Sequence, residues 1–412
     1  MSDGNCSGGL AGINQARATY SADHQSSPHV LCVGGEDHNL RIPFLLRLRE
    51  QGFRVAAAGS GNPEPFVKAG IDFHSFSFDR FINPIADRVA VKALAQLFKE
   101  VRPALVQSFD TKPNLLVPLA SRTIRNLRVV RTINGLGWLY SSSSPVALAL
   151  RPIYCSLQRM TSRWTAATVF QNRQDHDFFR KERMTGSGID RLIPGSGIDV
   201  EHFHKARDAG PVPEQLRREL DLENCDVIVT VSRLTRQKGI PTLLQAAKLV
   251  HDIRPTARFV LVGSRESEGP FAVSESELQR HSAYVRAVGQ RSDVPALLRL
   301  ADVFAFPTEY REGVPRALLE AALAGLPIVT TNMPGCSDVV KDGWSGFLVP
   351  PGTPAALASR ILDLLQDRQT SKTMGMRAEV TVRQEFGLDL TVARYAALYA
   401  ELIEAAPSPQ AG

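Results

Sequence analysis

Short apolar, β-branched segments alternate with segments of helical periodicity along most of the chain, and this alternation occurs twice. In the first half we predict strands at residues 29–33, 53–58, 104–108, 128–132 and 167–170. In the second half we predict strands at residues 227–232, 258–262, 303–306, 327–330 and 346–349. Strands that alternate with helices form parallel sheets that helices cover on both faces. The sequence therefore predicts two doubly wound, Rossmann-like α/β domains.

Helices are predicted between these strands, notably at residues 41–51, 240–251, 294–300 and 315–324. A chain of 412 residues exceeds one ordinary domain, and glycine and proline are frequent between residues 194 and 213, as expected of a boundary. We predict a flexible extension at 1–27, a first domain at 28–200, a second domain at 201–388, and a segment at 389–412 whose helix packs across both domains. Two such domains facing each other would form a ligand cleft at the carboxyl ends of their sheets.

Cysteine usage and hydropathy indicate the cellular compartment. The five cysteines are widely scattered and have no metal-type spacing: Cys6, Cys32, Cys155, Cys225 and Cys336. Disulfides and a zinc site are therefore not expected, and a reducing cytoplasm fits best. No apolar segment approaches the length that crosses a bilayer, and residues 1–27 lack the apolar core of a signal peptide.

Positive charge is concentrated in one part of the chain. Residues 111–174 contain nine Arg or Lys and no Asp or Glu, whereas the whole chain carries a net charge of +6. A block of one sign indicates an anionic partner, either phosphate groups or a membrane surface; the alternative is a solvated basic surface. Nucleic acid is not expected, because aromatic residues are not interleaved with the charges.

Residues 145–164, within this basic stretch, have an amphipathic composition. Arginines at 151, 159 and 163 are mixed with apolar residues, namely Leu148, Leu150, Ile153, Leu157, Met160 and Trp164. A basic amphipathic segment can lie in the plane of a membrane interface without crossing it. We therefore predict that the first domain binds the anionic inner face of the cytoplasmic membrane. The alternative is that the apolar residues pack inside the domain and the arginines are solvated.

Several common motifs are absent from the sequence. There is no P-loop, no G-x-G-x-x-G after the first strand and no G-x-S-x-G nucleophile elbow. These absences argue against a P-loop nucleotidase, a nicotinamide dehydrogenase and a serine hydrolase. Asp175 and Asp177 match a D-x-D metal pattern, but acids in the first turn of a helix explain them more simply. No metal site is predicted.

The most informative segment is residues 310–325, YREGVPRALLEAALAG. Glu312 and Glu320 form an E-x7-E pattern, and Pro315 suits the first position of a helix. Free backbone N–H groups from Gly313 onward would make a site for an anion or for hydroxyl groups. A partly buried Glu320 needs a hydrogen-bonding partner, such as a sugar diol.

A second informative segment is residues 231–239, VSRLTRQKG, which ends a predicted strand and enters a helix. Arg233 and Lys238 would both reach the mouth of the pocket from one turn. Two fixed cations beside a helix N-terminus suit a diphosphate and can stabilise the charge on a departing one. The alternative is a solvated basic turn.

These two segments together resemble glycosyltransferase family 4, which has the GT-B fold. The resemblance extends to residues 330–349, and weaker matches lie in the first half at residues 111–114, 133–138, 170–175 and 193–199. It is greatest with the bacterial branch that extends lipid-linked oligosaccharides and exopolysaccharide repeat units. The resemblance implies two Rossmann-like domains facing across a cleft.

The resemblance also implies roles for individual residues. Arg233 and Lys238 would bind the donor diphosphate and Glu312 would contact the donor sugar near the reaction centre, so these three form the predicted catalytic set. Glu320 would hold the ribose hydroxyls. The other implied donor contacts are the backbone of Gly313 and Val314, the loop of Gly34 and Gly35 near the phosphates, and the base loop with Gln290 and Arg291.

Two residues are candidates for binding the acceptor, Lys112 and Asn134. Lys112 is a candidate for the acceptor diphosphate, on its charge and on the resemblance. Many family members carry histidine where this chain has Asn134. Asparagine cannot titrate, but its amide can still form a hydrogen bond with a hydroxyl.

The resemblance implies a retaining, metal-independent glycosyltransferase of the hexosyltransferase type, which needs no cofactor. The expected donor is a UDP-sugar, and the expected acceptor is a polyprenyl-diphosphate-linked saccharide. Two alternatives are a GT-B nucleotide-sugar epimerase and a non-catalytic nucleotide-sugar binding protein. The presence of Arg233, Lys238, Glu312 and Glu320 together argues against the latter.

Overall fold

The computed structural model describes residues 27–76, 83–265, 269 and 271–405, so the predicted extension lies almost entirely outside the described residues. The strands are β1 (His29–Gly34), β2 (Arg54–Gly59), β3 (Asp72–Ser75), β4 (Leu105–Phe109), β5 (Arg128–Ile133), β6 (Ala167–Phe170), β7 (Ile189–Leu192), β8 (Asp226–Val231), β9 (Ala257–Val262), β10 (Val285–Ala287), β11 (Val303–Phe306), β12 (Ile328–Thr331) and β13 (Gly346–Val349).

The α-helices are α1 (Ile42–Glu50), α2 (Glu64–Lys68), α3 (Pro84–Val101), α4 (Pro113–Ser121), α5 (Gly137–Ser141), α6 (Pro145–Thr161), α7 (Arg173–Lys181), α8 (Val200–Ala209), α9 (Pro213–Glu219), α10 (Ile240–Ile253), α11 (Glu275–Gln279), α12 (Val294–Leu298), α13 (Arg316–Leu323), α14 (Cys336–Val339), α15 (Pro354–Gln366), α16 (Arg368–Glu385) and α17 (Leu388–Glu404). Short 3-10 turns lie at Glu36–Arg41, Ser162–Trp164 and Arg236–Lys238.

Two parallel sheets form the core, as the alternating pattern predicts. The first has the order β3-β2-β1-β4-β5-β6-β7 and the second has the order β10-β9-β8-β11-β12-β13. In each sheet the chain builds outward on one side of its first strand and then crosses to the other side. The resulting switch points lie between β1 and β4 and between β8 and β11, and such points are where doubly wound sheets bind ligands.

The central strands are buried because their apolar residues run continuously. In β1, Val30 to Val33 are fully buried, and Val30 is in register with Val55 of β2 and Leu105 of β4. A strand that is covered on both faces needs apolar side chains on both, which explains why the pattern is continuous and does not alternate.

Three strands were not predicted from the sequence: β3, β7 and β10. They have four, four and three residues, and most of their side chains are half-buried or exposed. All three lie at sheet edges, where only one neighbour and partial burial are needed. Such strands lack the apolar run that identifies the central ones.

The described residues form two compact units. The described residues of the first unit are 27–76, 83–131, 164–166 and 396–405, and those of the second are 132–163, 167–265, 269 and 271–395. Residues of α17 belong to both: the hydroxyl groups of Tyr395 and Thr132 are 2.9 Å apart in the second unit, and Tyr399 donates to Gln107 (2.8 Å) in the first. The domain bounds drawn from the sequence stay a prediction. Within the described part of the chain, every helix is too short or too polar to cross a membrane.

Candidate active site

The turn between β8 and α10 places Lys238 at the switch point of the second sheet. The hydroxyl of Thr235 accepts a hydrogen bond from the backbone N–H of Lys238 (3.3 Å), which caps the 3-10 turn. Gly239 then adopts a left-handed conformation (φ 69°), and a Cβ at this position would overlap the carbonyl oxygen of Pro307. The turn therefore lies directly against the end of β11, which a larger residue at 239 would prevent.

The segment that follows β11 is joined to this turn by hydrogen bonds. The backbone N–H of Glu309 donates to the carbonyl of Gln237 (3.0 Å), and the hydroxyl of Thr242 on α10 donates to Glu309 Oε1 (2.7 Å). These bonds fix the loop that carries Glu312 relative to the turn that carries Lys238.

Lys238 and Glu312, predicted from separate motifs, form an ion pair. Lys238 Nζ lies 2.6 Å from Glu312 Oε1, and the hydroxyl of Thr308 donates to the same oxygen (3.1 Å). The two side chains are only 11% and 17% exposed. Lys238 Nζ also lies within 6 Å of the ring centres of Phe306 and Tyr310. In such a pair the ammonium group can bind a phosphate, and the carboxylate can accept a hydrogen bond from a sugar hydroxyl.

Glu320 lies on α13 and is paired with a neighbour on the same helix. Arg316 Nε donates to Glu320 Oε1 (2.8 Å), with Arg316 half exposed and Glu320 largely covered. The helix begins at Arg316, so Pro315 is its N-cap and not its first residue, because its ψ of 120° is extended. Val314 precedes it and is half-buried.

Gly313 is required by close packing. A Cβ there would overlap the side-chain oxygen of Gln171 and would lie 3.0 Å from the backbone of Asn134. The predicted acceptor residue Asn134 is half-buried, and its backbone packs against the Glu312 loop.

Arg291, in the predicted base loop, forms hydrogen bonds within the protein. Arg291 donates to both carboxylate oxygens of Asp293 (2.8 and 2.7 Å) and to Glu219 (2.7 Å). These hydrogen bonds raise the pKa of Arg291. Its neighbour Gln290 is exposed, and Arg233 is half-buried near the end of β8.

The glycine loop of the first sheet lies at that sheet's own switch point. The backbone N–H of Gly35, after β1, donates to Asp110 Oδ2 (3.0 Å), after β4. Gly34 lies against the ring of His38, which leaves no room for a Cβ. Burial and the charge of Arg41 lower the pKa of His38 to about 4, so this ring is neutral.

Lys112, the candidate for the acceptor diphosphate, precedes α4. Its Nζ lies 2.7 Å from Asp87 Oδ1 on α3, and both side chains are largely covered. A diphosphate would therefore have to compete with a carboxylate that is already in contact with Lys112.

Sequence reasoning missed a second ion pair, between Asp175 and Arg311. Arg311 Nη2 donates to Asp175 Oδ1 (2.7 Å), and the side chain of Asp175 is fully buried. Asp175 lies in the first turn of α7, as predicted, with Asn172 as the N-cap. The sequence shows this helix start, but no local signal identifies a partner 136 residues away.

Comparison with solved structures identifies the fold class. HepE of Anabaena, solved with UDP, has a TM-score of 0.74 and 20% identity, and the match covers 90% of this chain and 100% of that one. Sucrose-phosphate synthase of Thermosynechococcus elongatus has a TM-score of 0.75 and 20% identity, and the match covers 92% and 100%. With its two doubly wound sheets, the chain has the GT-B fold.

Family models match both halves of the chain. The model described as "Glycosyl transferases group 1" matches residues 225–367, and the model described as "Glycosyl transferase 4-like" matches residues 29–168. Together these matches cover more than half of the sequence. The chain therefore belongs to the glycosyltransferase family that these two models describe.

Two similar proteins are glycosyltransferases that are named for their substrates. The N,N'-diacetylbacillosaminyl-diphospho-undecaprenol alpha-1,3-N-acetylgalactosaminyltransferase of Campylobacter jejuni is 24% identical over 375 residues, which cover 90% of this chain and 97% of that protein. The UDP-Gal:alpha-D-GlcNAc-diphosphoundecaprenol alpha-1,3-galactosyltransferase of Escherichia coli is 28% identical over 273 residues, which cover 66% and 68%.

Proposed function

We propose that this protein transfers a hexosyl group from a UDP-sugar to a polyprenyl-diphosphate-linked saccharide, with retention and without a metal ion. The observation that carries the proposal is the Lys238–Glu312 pair at the switch point of the second sheet. The acceptor class rests on the names of the Campylobacter and Escherichia proteins, both of which act on diphosphoundecaprenol-linked sugars. The choice of UDP rests on HepE, which was solved with UDP.

In the proposed reaction, the bond between the anomeric carbon and the diphosphate oxygen breaks. The acceptor hydroxyl forms the new bond on the same face, and its proton passes to the departing phosphate oxygen. Lys238 and Arg233 stabilise the negative charge that develops on the diphosphate, in the role that a divalent metal has in other transferases. Glu312, next to Lys238, accepts hydrogen bonds from the donor sugar.

Incubation with a panel of UDP-sugars and an undecaprenyl-diphosphate-linked saccharide tests the proposal. The expected product carries one added sugar with the anomeric configuration of the donor, as determined by NMR. Donor incubated alone is the control, since an epimer formed there would indicate an epimerase. UDP-sugar binding with no product from any donor would indicate a binding protein.

We also propose that the protein lies on the inner face of the cytoplasmic membrane, with α6 as the contact. Val146, Ile153 and Leu157 are spaced so that they share one face of α6, and Val146 and Ile153 are 62% and 55% exposed. The sequence also allowed the apolar residues of this segment to pack inside the protein. Ile153 and Leu157 are exposed, so they do not pack there. An exposed apolar stripe of this kind suits the boundary between headgroups and acyl chains.

The arginines of α6 support this proposal less than the sequence suggested. Arg151 turns toward the protein and donates to the carbonyls of Leu139 and Ser142 (both 3.0 Å). Arg159 pairs with Glu182 (3.0 Å). The salt-dependent part of the binding is therefore expected to be small relative to the apolar part.

A further inference from the structure

Arg311, the residue before Glu312, is held in a closed environment. Its guanidinium donates to Asp175, whose side chain has no exposed surface, and the carbon of the guanidinium lies 5.9 and 5.8 Å from the ring centres of Tyr140 and Phe178. Burial raises the pKa of Asp175, while the hydrogen bonds from Asn172 and Arg311 oppose this effect. The guanidinium group of Arg311 is therefore engaged within the protein.

The backbone around Arg311 is bonded to the same region. Its N–H donates to the hydroxyl of Ser141 (2.7 Å), and its carbonyl accepts from the N–H of Gly137 (3.0 Å). The side-chain amide of Asn172 donates both to the carbonyl of Glu312 (3.2 Å) and to Asp175 Oδ2 (2.9 Å). The start of α7 and helix α5 thus fix both peptide groups that flank the Cα of Glu312.

Close backbone contact leaves this arrangement little freedom. A Cβ on Gly135 (φ 100°) would lie 2.6 Å from the carbonyl oxygen of Arg311, and one on Gly137 (φ 59°) would lie 2.7 Å from the hydroxyl of Tyr310. Close packing of this kind transmits a displacement of one segment to its neighbour.

From these contacts we infer that Asp175 and Arg311 are positioning residues, which fix the carboxylate of Glu312 for contact with the donor sugar. The inference rests on the proposed function. Loss of the Asp175 charge leaves the guanidinium of Arg311, whose side chain is 20% exposed, without its counter-ion, so we expect the loop to shift and expose it further. A displacement of about 1 Å at a reacting centre can cost about a hundredfold in rate. Nucleotide binding is expected to persist, because Thr235 caps the turn that carries Lys238, and this contact involves neither Asp175 nor Arg311.

Two substitutions test the inference. Asp175→Asn removes the charge at nearly constant volume, and Arg311→Lys keeps the charge but loses the planar group between the rings. Asp177→Asn, at an exposed position of the same helix, is the matched control. We expect kcat to fall at least about 30-fold in both test variants while the Kd for UDP changes less than about threefold, with the control unchanged on both measures. Wild-type kcat in folded Asp175→Asn and Arg311→Lys proteins would overturn the inference.

A double-mutant cycle with Glu312→Gln distinguishes positioning from a separate effect on the fold. If Asp175 acts through Glu312, the double variant Asp175→Asn/Glu312→Gln is no slower than Glu312→Gln alone. Fully additive losses would contradict the inference.

Hydrogen exchange gives a measurement that does not depend on activity. Faster exchange at the amides of Gly137 and Arg311 is expected in Asp175→Asn, and unchanged exchange there would refute the positioning role. If the wild-type protein transfers no sugar but this exchange increases, the proposed function fails and the structural part of the inference stands.

Discussion

Replacement of Lys238 by alanine is the most direct test of the active-site assignment. The substitution removes a cation that is 11% exposed and lies 2.6 Å from Glu312 Oε1. Two effects follow: the diphosphate loses a stabilising charge during its departure, and Glu312 loses its counter-ion. The two effects are measured separately, the first as turnover and the second as stability.

The effect on turnover is expected to be the larger. Loss of one donor that stabilises developing charge costs about 2–4 kcal/mol of transition-state stabilisation, which corresponds to about a 30- to 1,000-fold fall in kcat. Breaking a fully buried ion pair costs about 3–5 kcal/mol of stability. Here Glu312 is 17% exposed and keeps the hydrogen bond from Thr308, so we expect a smaller loss, about 1–3 kcal/mol.

The assay is kcat at saturating donor and acceptor, with the Tm of each variant measured in parallel. Lys248→Ala is the matched control, since Lys248 lies on the exposed face of α10 and pairs with Asp252 at the surface. Both measures are expected to stay near wild type in the control. Turnover within about threefold of wild type in a folded Lys238→Ala protein would refute the role of Lys238 in leaving-group stabilisation.

Four further predictions concern backbone strain, acid stability, metal dependence and membrane binding. Gly239→Ala places a Cβ against a carbonyl oxygen at φ 69°, whereas Gly343→Ala has nearly the same φ (68°) and open space around the Cβ. We therefore expect Gly239→Ala to lower Tm more than Gly343→Ala does. Equal losses of Tm in thermal melts would mean that φ alone determines the loss of stability. Burial opposes ionisation of Asp226, but hydrogen bonds led by that from Arg254 outweigh it and lower the pKa of the carboxyl. The ionised carboxylate of Asp226 therefore stabilises the fold above the unfolded pKa of about 3.9, and this stability is lost as the pH falls through the folded pKa. Asp226→Asn should then lose less stability than wild type on acidification, as measured by circular dichroism. Transferase activity is expected to persist in EDTA, and a loss that manganese or magnesium reverses would show a metal requirement. Ile153→Asp should reduce co-sedimentation with anionic liposomes at low and high salt, and unchanged binding would exclude α6 as the contact.

The sequence alone determined the two α/β halves and the central strands. The continuous apolar residues of β1 and β11, and Val227 to Val229 of β8, identify these strands as buried, because a strand that is covered on both faces needs apolar side chains on both. The sequence also places Lys238 and Glu312 after central strands, but it was the resemblance to glycosyltransferase family 4 that implied their roles. Local pattern carries this information because burial and turn geometry act on neighbouring residues.

Only the tertiary structure decided which of these residues meet. The order of strands in a sheet is set by crossovers that local periodicity does not record, and this order brings Lys238 after β8 next to Glu312 after β11. The partners Asp175 and Arg311 are also set by long-range packing, and each one alone reads as an ordinary charged residue at a helix start or in a loop. The edge strand β3 was missed for a related reason: it is stabilised by pairing with β2, a contact that its own four residues do not encode.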